Sequence, residues 1–255
     1  MNSTGYGDWI RDFETARRER AGQGDPDWRT GVPLHPAIRR SVQRFQVGED
    51  GDGAELITKA EAAGDAEYAS AVRMFVAEER NHARLLALLL ASGDAPTIAS
   101  HWSDRIFVTL RRALGLRLEL LVLMIAEVVA LRYYRALGLR LELLVLMIAE
   151  VVALRYYRAL RDGGEDALTR EVAGRVLADE ERHVPFHCHR LRRALRPLPA
   201  PARVLVTSGW RAALAAACLV VAVDHGPALR RLGVGRGRFA VEVVRSSGPI
   251  AAAMR

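Results

Sequence analysis

Cysteine is nearly missing: Cys188 and Cys218 are the only two among 255 residues. Two are too few for a disulfide framework, and they fit a reducing, cytoplasmic setting. Lysine is scarcer still, with Lys59 alone against 36 arginines. That imbalance reads as codon usage in a GC-rich genome, so the net charge of +7 says little about a partner. Aromatic residues are only 6% of the chain and the arginines do not cluster with them, which argues against specific nucleic-acid recognition. Long apolar runs are also lacking. The longest uncharged one, 212–223, has 12 residues, well short of the ~20 that cross a bilayer. The polar residues 1–20 hold no secretory segment. The expectation is a soluble protein with no membrane partner.

Half of the residues are hydrophobic, dominated by Ala, Leu and Val, which predicts an all-α protein large enough for a sizeable core. Punctuation by Gly, Pro and Asp predicts an irregular arm over 1–35, carrying Trp9 and Trp28 as anchors. Helices are predicted from Pro36 to Ala62, from Asp65 to about Ala91, over roughly 104–161, and from about 165 to 195. One or two more are predicted over 202–245, with a loose tail after Ser246. The predicted domains are therefore an arm (1–35), a helical bundle (36–196) and a C-terminal helical extension (197–255).

Two Glu-x-x-His pairs stand out, Glu79–His82 and Glu180–His183. Each has a further glutamate 30 residues upstream, Glu49 and Glu150, and turn residues midway, Ala63-Gly64-Asp65 and Asp162-Gly163-Gly164-Glu165. Residues three apart share a helix face. Folding each half about its turn sets the upstream glutamate level with its pair, so two packed hairpins gather four carboxylates and two imidazoles. An uncompensated carboxylate in an apolar stripe, such as Glu150 among Leu143, Leu146, Met147, Leu154 and Tyr157, is costly. A pair of metal ions accounts for the arrangement. Carboxylate oxygens with imidazole suit iron or manganese, and two ions side by side can activate one dioxygen or peroxide.

The third helical region contains an identical repeat: 112–137 recurs as 135–160, an offset of 23 residues. Packing does not demand identity, so this reads as a tandem duplication. Twenty-three residues turn a helix face by about 140°, so Glu127 and Glu150 cannot share one site from one straight helix. Glu150 has the centred turn and is the expected ligand. Glu127 becomes the displaced copy, with a helix break at Gly138 and an apolar face left for another subunit, as in a homodimer. The opposite register, with Glu127 inside, is the alternative.

The segments Phe45-Gln46-Val47-Gly48-Glu49, Ala77-Glu78-Glu79-Arg80-Asn81-His82-Ala83, Ala149-Glu150 and Asp179-Glu180-Glu181-Arg182-His183 resemble the ligand helices of the ferritin-like superfamily. The rubrerythrin-type branch is the most similar, and the resemblance covers about 36–195. It implies an antiparallel four-helix bundle with two iron ions (manganese being the alternative) held by Glu49, Glu79, His82, Glu150, Glu180 and His183. Glu79 and Glu180 would bridge. It also implies oxidoreductase chemistry on dioxygen or hydrogen peroxide, fed by an unidentified electron donor. No rubredoxin-like Cys-x-x-Cys domain is present, and the glycine-rich first helix departs from a storage ferritin. A non-catalytic iron-sequestering protein and a helical interaction module with a compromised site remain the other readings.

Several residues carry two readings. Glu49 lies in Gly-Glu-Asp-Gly-Asp-Gly, which could be an exposed turn, leaving Glu55 or Glu61 to substitute; an EF-hand is excluded because the later ligands are missing. His187 shares the face of His183 and is either a neighbour of the ligands or a plain core residue. His189 is expected at the surface. Tyr157 is a redox neighbour or simply packing. Cys188, Trp210 and Cys218 are expected to pack, and Pro185 to kink its helix.

Overall fold

The computed structural model describes residues 5–51, 53–101 and 130–254. All regular secondary structure among them is helical.

The N-terminal segment corrects the expectation of an irregular arm. It is a helix, α1 (Tyr6–Gln23), with Tyr6, Phe13 and Ala16 buried, ending at Gly24 in the left-handed region (φ 67°). A single 3-10 turn, Trp28–Thr30, follows, with the Asp27 side chain accepting from the Arg29 N–H.

The helix expected over 36–62 divides into α2 (Pro36–Glu49) and α3 (Ala54–Ala62). Pro36 opens α2 at a position that needs no N–H, and the His35 ring accepts from the Ala37 N–H. The break is built around Gly53, whose φ is +62° and whose missing Cβ would lie 2.5 Å from a Val76 methyl. Only glycine meets both conditions cheaply. Glu49 is consequently the last residue of α2 and is buried, not part of an exposed turn.

Asp65 caps α4 (Ala66–Ser92) by accepting from the Tyr68 N–H at 3.0 Å. Asp166 does the same for α6 (Ala167–Leu195), accepting from the Thr169 N–H at 2.7 Å. Before it, α5 (Ala130–Gly163) runs unbroken through Gly138, so the break expected there does not occur. Glycine only weakens a helix by about 1 kcal/mol, and the rest of the segment is strongly helix-forming. Residues 104–129, and with them Glu127, lie outside the described residues. Pro185 sits inside α6, which continues past it to Leu195.

Two hairpins result, one from α2, α3 and α4, the other from α5 and α6. They pack through α4 on α6 and α3 on α5. Lys59 ties them together, with Nζ 2.8 Å from Glu142 Oε2. α1 lies along α4.

The C-terminal extension comprises α7 (Ala200–Asp224), α8 (Gly226–Arg231), α9 (Arg236–Ser246) and α10 (Gly248–Ala253). The expected loose tail is therefore helical, anchored by buried Ile250, Ala253 and Met254. Trp210, Leu214 and Cys218 face inward from α7, and the Trp210 indole donates to the Leu144 carbonyl at 2.9 Å. By length and composition α7 could cross a membrane. Its other face exposes Val204, Leu205, Leu219, Val220 and Val223.

Candidate metal centre

Glu49, Glu79, His82 and Glu180 bring one ligand-capable atom each within 4.8 Å of one another, and Glu79, Glu150 and His183 do the same. All six residues expected from the sequence thus meet between the hairpins, with Glu79 common to both groups. Buried Glu and His groups of this kind could hold metal ions. Glu55 and Glu61 stand elsewhere, Glu55 paired with Lys59 and Glu61 with Arg73.

The helical hairpins set the geometry. His82 comes from α4 and His183 from α6, their ring centroids 5.7 Å apart. Both turn Nδ1 inward. His82 Nδ1 lies 3.3 Å from one Glu180 oxygen and 3.6 Å from Glu79 Oε1. His183 Nδ1 lies 3.6 Å from the other Glu180 oxygen, 3.2 Å from Glu79 Oε1 and 3.6 Å from Glu150 Oε2. Glu180 thus presents one oxygen to each imidazole.

The outward nitrogens reveal residues that the sequence reading passed over. His82 Nε2 is 3.0 Å from Asp179 on α6, and His183 Nε2 is 3.0 Å from Glu78 on α4. Each histidine is braced by the acid that immediately precedes the opposite helix's Glu-x-x-His. Arg20 of α1 spans both braces, 2.6 Å from Glu78 and 2.7 Å from Asp179. Arg182 also contacts both. The available signal was the acid at the same offset in each motif, Glu78-Glu79 and Asp179-Glu180.

Tyr157, fully buried, donates its hydroxyl to Glu49 Oε1 at 2.6 Å. His187 is buried with no hydrogen-bond partner, its Nε2 3.9 Å from Glu150 Oε1. His189 is half-buried, packed edge-on against the Tyr6 ring. Cys188 is buried outside both groups.

Burial drives the electrostatics. It pushes the Glu150 carboxyl up to about 8, with the Glu180 charge adding to it. Glu49 and Glu79 rise for the same two reasons, Glu79 also against Glu49. Burial alone would lower the His82 imidazole, but Asp179 and Glu180 outweigh it and hold it at about 9. His183 is raised likewise, against its own burial, by Glu150, Glu180 and Glu78. Glu180 goes the other way: burial opposes, yet the nearby His183 and His82 imidazoles keep its carboxyl below the ordinary range. Burial, then the His183 charge, depresses His187 to about 3.

The donor set fits a pair of divalent cations. Glu79 Oε1, His82 Nδ1, Glu150 Oε2 and His183 Nδ1 are buried without hydrogen-bond partners, and all four belong to the two groups. Orphaned polar atoms this deep are costly unless something ligates them. The six ligand and brace carboxylates against the guanidinium groups of Arg20 and Arg182 leave four negative charges, the charge of two divalent ions, with the imidazoles neutral.

A cavity of about 310 Å³ opens onto Glu49, Glu79, Glu150 and Glu180. A separate cleft of about 590 Å³ between α1, α4 and α6 reaches Glu78 and Asp179 instead. No protein-family model, curated protein or solved structure matches the chain.

Proposed function

We propose that this chain is a ferritin-like dimetal carboxylate protein, di-iron in its working form, and that it acts as an oxidoreductase on dioxygen or hydrogen peroxide. One observation carries the reading: two histidines, each with Nδ1 aimed at shared carboxylates and Nε2 tied to an acid of the opposite helix. A histidine whose outer N–H is held by a carboxylate presents a fixed, basic lone pair, a recurrent feature of metal-ligating imidazole. A surface cluster has no need of that reciprocity.

In this reading His82 and His183 supply one nitrogen to each ion. Glu49, Glu79, Glu150 and Glu180 would supply the carboxylate oxygens. Iron held there would supply the electrons that reduce dioxygen or peroxide. Asp179 and Glu78 fix the imidazole tautomers. The Tyr157 hydroxyl orients Glu49, and the neutral His187 ring stands beside Glu150 as a group that does not add charge. Phe75, edge-on to both His183 and His187 at 4.7 and 4.6 Å, keeps water off the imidazoles.

Elemental analysis, then anaerobic Fe(II) titration followed by oxygen, tests this. Two irons per chain with an optical transient on oxygenation are expected. Metal bound without turnover would favour sequestration, and a metal-free protein under saturating Fe(II) would favour an interaction module. Glu150→Ala should abolish two-ion loading while Glu127→Ala leaves it intact; the reverse would assign the site to the first copy of the repeat.

A further inference from the structure

The geometry points to the 310 Å³ cavity as the binding site of a small organic carboxylate with an apolar body, presented to the metal centre as its substrate. This rests on the dimetal reading and goes beyond it by naming a substrate class. Dioxygen and peroxide need only a passage of roughly the volume of a water molecule, about 30 Å³. This cavity is an order of magnitude larger. Its walls are apolar, built from Phe45, Leu56, Val76, Leu146, Val152 and Val221.

The described lining has charge of both signs. Besides the ligand glutamates, Arg44 is the only cationic side chain along it. Asp224 orients that guanidinium through Nη1, which lies 2.8 Å from its main-chain oxygen and 3.0 Å from its carboxylate. Among the described residues, Nε and Nη2 remain as donors. Arg44 and the four glutamates line the same cavity, so a carboxylate held at Arg44 leaves the apolar body of the molecule in the space that reaches the carboxylate floor.

The test is calorimetric titration with 4-ethylbenzoate and with 4-ethylbenzylamine, alongside elemental analysis of the same samples. The benzoate is expected to bind at least tenfold more tightly than the amine. Ala217→Leu narrows the cavity from α7, a helix carrying no ligand, and should weaken the benzoate at least tenfold at unchanged metal content. Gly48→Leu is an independent plug, since a Cβ there meets no atom within 4 Å; it keeps the test alive should the first variant misfold. Arg44→Met should erase the preference for the carboxylate. Equal binding to parent and plugged chains, or amine binding as tight as benzoate, overturns the proposal. Two metals with no probe bound overturn it while sparing the dimetal reading. Probe bound to a chain that takes up no metal does the reverse.

Discussion

Asp179 accepts from the Nε2–H of His82 across 3.0 Å, from a helix that carries a different histidine of the same centre. The bond fixes which ring nitrogen of His82 faces the carboxylates. Asp179 is itself held below the usual carboxylate range by His82 and by Arg20 and Arg182, against the effect of its burial. Replacing it by asparagine keeps the shape and removes the charge. Asp179→Asn should weaken metal affinity about 10–100-fold, as loss of such outer partners typically does. Chelator competition measures this, and unchanged affinity would remove the bracing role.

The pH dependence of the metal-free chain has a definite sign. Glu150 at about 8 and His82 at about 9 both lie above their ordinary values. The folded chain therefore keeps protons that the unfolded chain releases. The stability from these groups is complete below their unfolded pKa values and disappears as pH rises through 8 and 9. Glu180, shifted downward, acts only at acidic pH. In chelator, thermal unfolding should give a lower Tm at pH 9 than at pH 6.5. Metal ions replace those protons, so loading should tighten with pH and acidify a weakly buffered solution.

Tyr157→Phe removes the 2.6 Å hydrogen bond to Glu49 and little volume. Bonds to a charged acceptor contribute about 1.5–3 kcal/mol. Metal affinity in the chelator assay should fall roughly tenfold or more, with both ions still bound at saturation.

Gly53→Ala meets two penalties, a φ of +62° and a Cβ 2.5 Å from Val76. The backbone term alone is on the order of 1–3 kcal/mol. Urea denaturation should show at least that loss, and pairing the substitution with Val76→Ala should restore only the steric part.

The clustering of the six residues was legible because helical periodicity and a centred turn are both local properties of the chain. Glu49, Glu150 and the two Glu-x-x-His pairs needed no knowledge of which hairpin packed on which. The braces did not yield to that reading. Glu78 and Asp179 stand beside Glu79 and Glu180, and neighbours on a helix point about 100° apart, so neither shares the face of its Glu-x-x-His pair. Their partners lie across the interface between hairpins, a relation that no sequence window contains. α1 was hidden for another reason. The Gly, Pro and Asp of the first 35 residues suggested an irregular arm, while the apolar stripe of α1 is short, with Tyr6, Phe13 and Ala16 as its buried members. The split of α2 from α3 turns on one backbone angle at Gly53, selected by its contact with Val76.

The crossed bracing makes each half of the chain depend on the other to orient its histidine. A fragment ending before α5 would own His82 but no acid to steer it; one beginning at α5 would own His183 in the same predicament. Any ion uptake at this cluster would thus report that the halves have assembled.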